Sequence, residues 1–441
     1  MHFKKSALMA LVVVALGIVS CTQEDEVLNV QTSEEIASDG DITVLEENVV
    51  NGQELFSDAM SGMEQLKGSE AYDALKEAFD KADNSNADAQ TRGISLGLYK
   101  TVKVEYTTTD QDMKPVKASA LIVYPILKKI KQVMLINHGT QVGFMMVPTK
   151  FTSAEAIMAA TGSLCIMPDY IGLGSTSNHA DLYLNHDVHG RTSVDALLTL
   201  LDYAKDKKLN LDSNYKTTIL GYSQGGSVSL ASLREVQRRD KATQARIRLD
   251  KVFCGDGPYD LSRTFQTYIE DYEQGKKMGL GAVIPMVINS MFNSYPTEMG
   301  IYNYRDFFTD KCWKTGVPQA IRENREGVLD VVAKLNGWKL GEILNFDYCN
   351  AQPEALETLI RMMDRQNLCK GWTPEYKLKL LHCNPDGVVP FSNYEEAVKY
   401  LKNDKVTTEE VSINTNLISD PLLQHVYGML VMLKEVFADE Y

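Results

Sequence analysis

The sequence predicts an α/β fold, a mainly parallel sheet covered by helices on both faces, and three observations carry that expectation. From about residue 95 onward, strand-like runs alternate with helical ones, the order that puts crossover helices between parallel strands. The later runs are mostly short and apolar, as buried parallel strands should be. About 345 residues follow this alternation, ample for one large core.

The chain opens with Lys4 and Lys5 ahead of an apolar stretch, residues 7–19, that ends in small residues and Cys21. Such a stretch is too short to span a bilayer as a helix and reads as an export signal over residues 1–20. Residues 22–66 hold twelve Asp or Glu and no Lys or Arg. Subtracting those twelve from the 59 acids leaves 47 against 45 bases, so the net charge of -14 belongs mostly to this segment. The negative charge describes a tether, residues 21–94, and argues against nucleic acid as a partner. Residues 22–50 are expected to be disordered, and residues 54–82 to be helical through Leu55, Met63, Leu66, Leu75 and Phe79. A polar linker at 83–91 leads into the folded domain, 95–441. No internal repeat is visible, which argues against a propeller or solenoid.

Residues 99–107 and 116–124 alternate polar and apolar side chains, as an antiparallel hairpin at the start of the sheet would. Apolar runs follow at 132–137, 164–167, 217–220, 251–254, 378–381 and 405–413, with helical patterns such as 192–205 between them. Between the sixth and seventh runs, residues 261–375 form an insertion that reads as a helical cap. Residues 280–292 within it are apolar on nearly every side, with Ile284, Met286, Val287, Ile288, Met291 and Phe292, and such a helix must be covered. Packing between cap helices is one reading; the other is a soft pocket wall of Met286, Met291 and Phe292. Cys165, Cys254 and Cys383 lie in strand-like runs and read as small buried hydrophobes, whereas Cys312, Cys349 and Cys369 fall in a less regular region. A bridge such as Cys349 to Cys369 is open in an exported chain. No Cys/His spacing suits zinc, so no metal and no cofactor are expected.

Gly221-Tyr222-Ser223-Gln224-Gly225 follows one apolar run and precedes a helical pattern. A serine at a sharp strand-to-helix turn, with glycines to let the backbone bend, is the layout of an exposed nucleophile. A serine hydroxyl needs a base to take its proton and an acid to orient that base. Asp386, in the turn Asn384-Pro385-Asp386-Gly387-Val388-Val389-Pro390, and His425, in a loop after the last run and before a helix at 428–437, can supply them. Among the other histidines, His2 falls in the signal, and His138 and His382 precede the last run. His179, His186 and His189 share one loop and read as solvated or capping residues. Asp256 and Asp260 are competing acids, with the alternative role of ordering the loop into the cap.

Together with His138-Gly139 and Pro168-Asp169-Tyr170-Ile171-Gly172-Leu173-Gly174, these motifs resemble the α/β-hydrolases, closest to the secretory lipase and carboxylesterase group, over roughly residues 98–441. The resemblance implies the chain order Ser223, Asp386, His425, and an oxyanion hole made by the backbone N–H groups of Thr140 and Gln224. Tyr170 falls near the pocket in that scheme. Gln224 departs from the smaller residue of some relatives, so specificity does not transfer. Ile18-Val19-Ser20-Cys21 resembles the bacterial lipoprotein box, and Glu24-Asp25-Glu26 the acidic signal for surface export. That resemblance implies an acylated Cys21 anchored in the outer membrane at the cell surface.

The expectation is a serine ester hydrolase that forms an acyl-enzyme on a small-molecule ester. A serine peptidase uses the same trio, though no propeller is encoded here. A silent hydrolase fold that binds a ligand on a surface lipoprotein is the third class. A large cap predicts small or medium acyl or aryl groups rather than long-chain triacylglycerols.

Overall fold

The computed structural model describes residues 42–52, 73, 76, 97–141, 147–149, 158, 161–324 and 333–439. The expected signal, Cys21 and the expected helix at 54–82 lie outside them apart from Asp73 and Lys76. Among the described residues nine strands form one sheet: β1 Ile42–Asn51, β2 Leu98–Thr109, β3 Pro115–Pro125, β4 Ile130–Asn137, β5 Leu164–Pro168, β6 Leu211–Tyr222, β7 Leu249–Gly255, β8 Lys377–Asn384 and β9 Val406–Ser412. Their spatial order is β1-β2-β3-β5-β4-β6-β7-β8-β9. The pairs β1/β2, β2/β3 and β3/β5 are antiparallel, and every pair from β5/β4 to β8/β9 is parallel.

β1 corrects the sequence expectation, which left residues 42–50 in a disordered tether. It pairs with β2 from Ile42↔Tyr106 to Asn51↔Leu98, with a bulge between Val44 and Glu46. Its acidic residues, which suggested disorder, meet bases on β2: Lys103 lies 2.6 Å from Glu46 and Lys100 2.5 Å from Glu47. Cross-strand pairing supplies what the local composition lacks.

The principal helices are α1 His186–Asp206, α2 Gln224–Arg238, α3 Leu261–Glu273, α4 Val283–Ser294, α5 Pro353–Asp364, α6 Ser392–Leu401 and α7 Pro421–Asp439. Strand periodicity sends alternate side chains to two cores. Val133, Leu135, Ile219, Val252 and Leu380 pack with Leu197, Leu230 and Leu233 of α1 and α2. Met134, Ile136, Leu220, Phe253 and Leu381 pack on the other face with Met429, Leu430 and Leu433 of α7. A third core lies within the insertion between β7 and β8, where α3, α4 and α5 bury Phe265, Ile288 and Leu359.

Adjacent parallel strands end side by side, with Asn137 opposite Gly221, Tyr222 opposite Gly255, and Gly255 opposite Leu381. The loops leaving β4, β6, β7 and β8 therefore converge at one edge, where α/β sheets hold their ligands. The six cysteines of the described region are buried free thiols, so Cys349 and Cys369 are not bridged. Among the described residues no helix is long and apolar enough to cross a membrane.

Candidate active site

Ser223 stands between β6 and α2 with φ 58° and ψ -124°, a left-handed conformation that a non-glycine residue adopts only under constraint. The neighbouring glycines are required by close backbone approach. A Cβ on Gly225 would lie 2.0 Å from the Asn137 carbonyl oxygen, and one on Gly221 would lie 2.2 Å from that of Gly225. The N-terminus of α2 is thereby drawn against the end of β4.

His425 Nδ1–H donates to Asp386 Oδ2 at 2.7 Å, and His425 Nε2 accepts from Ser223 Oγ at 2.9 Å. The three residues form one continuous hydrogen-bonded chain. Asp386 is positioned by its own turn, whose Val388 and Val389 N–H groups donate to Oδ1 at 2.7 and 3.0 Å. Burial pushes its carboxyl up, but the charge and hydrogen bond of His425, then His382, outweigh burial and hold it below the ordinary carboxylate value.

His425 sits inside α7, not in a loop before a helix at 428–437. Asp420 caps the helix early: its Oδ1 accepts from the Leu422 and Leu423 N–H groups at 2.9 and 3.1 Å, with Pro421 beginning the helix.

Thr140, on the loop that leaves β4, and Gln224, which follows Ser223 after the adjacent strand β6, are both buried. Gln224 is the first residue of α2, so its N–H has no intrahelical acceptor and lies at the positive end of the helix dipole. The Thr140 hydroxyl is within 2.9 Å of Tyr183 Oη.

Tyr170 is not a pocket residue. It is 1% exposed, donates to the His138 carbonyl at 2.9 Å, and stacks between His138 and His189 at 4.0 and 4.7 Å. It braces the loop that carries Thr140. His186 and His189 also differ from expectation: both lie in the first turn of α1 and are fully buried, while His179 is exposed. Burial holds the imidazoles of His138 and His186 down to about 4 and that of His189 to about 3, so all three are neutral near pH 7.

A cavity opens at Ser223. Among the described residues its walls are apolar, with Leu261, Phe265 and Tyr268 of α3 and Val283, Ile284 and Val287 of α4. Met286, Met291 and Phe292 do not line it. They point into the cap core, where Phe292 meets Tyr304 and Phe307 edge to face at 5.5 and 5.7 Å. The helix runs over Val283–Ser294 rather than 280–292, and a helix apolar all round gives no signal for which face meets the ligand. Cap and acid turn are joined directly: Tyr268 Oη donates to the Val388 carbonyl at 2.6 Å and Gly279 N–H to that of Gly387 at 3.0 Å.

Sequence reasoning missed the roles of two further residues. Tyr222, the variable position before Ser223, places its hydroxyl 2.5 Å from both Asp256 Oδ2 and the His425 carbonyl. Asp256 does not order the cap entry; Asp260 does so, capping α3 by accepting from Arg263 N–H at 3.0 Å. Asp256 instead joins Asp386 and His382 in a cluster whose polar atoms lie within 4.8 Å of one another. These atoms serve hydrogen bonds: Asp386 Oδ2 to His425, Asp256 Oδ1 to the Cys383 N–H, and His382 Nε2–H to the Val389 carbonyl at 3.1 Å.

No family model and no curated protein matches the chain in sequence. Solved structures do match. The rice cell wall degrading esterase LipA from Xanthomonas oryzae superposes with a TM-score of 0.68 at 17% identity, covering 90% of this chain and 98% of that one. A protein of Legionella pneumophila described as a hydrolase gives 0.61 at 17% identity, covering 88% and 97%. Candida antarctica lipase A in its closed state gives 0.54 at 15% identity, covering 72% and 73%. At such low identity the likeness bears on the fold, and with the parallel sheet, its covering helices and the convergent loops it establishes that this chain has the α/β-hydrolase fold.

Proposed function

We propose that the chain is a serine ester hydrolase working through an acyl-enzyme. The observation that carries this reading is the Ser223–His425–Asp386 hydrogen-bonded chain opening onto an apolar cavity. Ser223 Oγ attacks the ester carbonyl carbon as His425 Nε2 takes its proton, forming the Oγ–C bond and a tetrahedral oxyanion. The Thr140 and Gln224 N–H groups receive that oxyanion, favouring it over the planar ester. Collapse breaks the bond to the leaving alkoxide, which takes the proton from His425. Water then repeats the sequence on the acyl-enzyme, releasing the acid. Asp386 keeps the imidazole in the tautomer that can accept from serine and stabilises its charged form.

The wall formed by α3 and α4 receives the acyl group of a short or medium ester. Val287→Trp or Ile284→Trp is expected to move the optimum to shorter acyl chains in a panel from two to sixteen carbons, while Met286→Ala leaves the optimum in place. An unchanged profile in both tryptophan variants removes this cavity as the acyl site.

Export as a lipoprotein acylated at Cys21 belongs to the same reading, and its support is the sequence around that residue. The 20 residues 22–41 between Cys21 and β1 span at most about 70 Å when fully extended, which limits how far the enzyme stands from its membrane. Cys21→Ser is expected to move the protein from the membrane to the soluble fraction. Unchanged fractionation contradicts the anchor.

A further inference from the structure

Asp256 is wholly enclosed at the exit of β7, with a left-handed φ of 40° that is unusual for a side-chain-bearing residue. Its surroundings fix where its proton is. Tyr222 Oη lies 2.5 Å from both Asp256 Oδ2 and the His425 carbonyl oxygen. A carbonyl brings no proton, so the single phenol proton fills the contact to His425. The contact to Asp256 then requires a proton from the carboxyl itself. A second observation agrees. The side chains of Asp256 and Asp386 are both buried in one cluster, and two carboxylates so placed cannot both be ionised.

We propose that Asp256 is a positioning residue held as the neutral acid: it donates to Tyr222, Tyr222 donates to the His425 main chain, and the buried pair presents a single negative charge, on Asp386, to the imidazole. The proposal rests on the catalytic reading of Asp386 and His425. Asp386 keeps the charge because its oxygens face the imidazole and two backbone N–H groups. Burial, and after it the neighbouring charge of Asp386, raises the Asp256 carboxyl well above the ordinary carboxylate value.

The other titratable groups around the pair bring no competing charge. Tyr222 from β6, Tyr259 after β7 and Cys383 from β8 are raised by burial and keep their protons. His382 from β8 is held down to about 4, and Tyr268, facing Asp386 from the cap, is raised. Glu409 and Glu410 of β9 act on Cys383 and His382 from farther out.

The arrangement predicts a specific division of labour. With a neutral Asp256, the imidazole of His425 meets the single negative charge of Asp386. An ionised Asp256 adds a second negative charge to the same buried cluster. The Asp256–Tyr222 link also fixes the backbone of His425 where Nε2 meets Ser223.

The test compares Asp256→Ala, Asp256→Asn, Tyr222→Phe and the double variant Asp256→Ala/Tyr222→Phe in the full-length protein. Ester turnover and the pH dependence of the rate at which a fluorophosphonate labels Ser223 are measured, with label stoichiometry giving the folded fraction. Asp256→Ala is expected to lower kcat ten- to a hundredfold, roughly the cost of a small misplacement of the base, with KM little changed. Asn, whose NH₂ donates as the acid does, restores most of that loss and leaves the acid limb of the labelling profile in place. Tyr222→Phe matches Asp256→Ala, and the double variant loses no more than either, because all three break one chain. If Asp256→Asn moves the acid limb down by about a pH unit, it has removed a negative charge and the neutral-acid assignment is wrong. Equal loss of folded protein in Ala and Asn, with wild-type kcat in what remains, makes Asp256 structural only and overturns the proposal. Failure of the underlying reading has a different signature, because then Asp386→Asn itself leaves turnover intact.

Discussion

Asp386→Asn is expected to lower kcat about 10⁴-fold while KM stays within a few-fold, read from steady-state ester hydrolysis of the purified variant. The carboxamide keeps the size of the side chain, and its oxygen can still accept from Val388 and Val389, so the turn persists. Its NH₂, however, faces His425 Nδ1 as a donor and turns the imidazole to the tautomer whose Nε2 carries a proton. Ser223 then has no base. The charge that stabilises the imidazolium is lost in the same substitution, and both losses act on the transition state rather than on the bound ester. A variant within tenfold of wild type removes Asp386 from the machinery.

Gly225→Ala is expected to cost about 3 kcal/mol in urea unfolding and to abolish labelling of Ser223 in the fraction that folds. The new methyl would sit 2.0 Å from the Asn137 carbonyl oxygen, backbone against side chain, with no flexible group able to yield. Relief means sliding the start of α2 away from β4, which displaces Ser223 and the Gln224 N–H together. Gly371→Ala is the control. It adopts φ 84° but has nothing within 4 Å of an added Cβ, so it is expected to cost about 1 kcal/mol and leave activity in place. Equal effects at the two positions mean that the contact at Gly225 is absorbed elsewhere.

Much of this architecture was legible because the buried strands are apolar on both faces. Val133 to Ile136 or Ile219 and Leu220 can be nothing but central strands, and the loops they release must meet at one edge. The candidate residues were equally legible where local chemistry is distinctive, at the glycine-flanked Ser223 and in the tight turn that holds Asp386. Where tertiary pairing decides, the chain gives no local sign. β1 is an acidic, half-exposed edge strand whose charges make sense only beside Lys100 and Lys103. The start of α7 was readable from Asp420-Pro421, a helix-opening pair, and that signal places His425 inside the helix. Which side of α4 faces the cavity depends on how the cap sits over Ser223, and Val287 and Met291 are indistinguishable by composition. Asp256 belongs to the same class: its partners are Tyr222 at the end of β6 and Cys383 and Asp386 at the end of β8, both far from it in sequence.

The central claim is that Ser223 is a nucleophile activated by His425. Incubating the full-length protein with a fluorophosphonate, then mapping the adduct by peptide mass spectrometry, tests it most directly. One adduct per chain on Ser223 is expected, absent in Ser223→Ala and slowed by orders of magnitude in His425→Ala. A label on another serine, or on Ser223 at an unchanged rate without His425, contradicts the account.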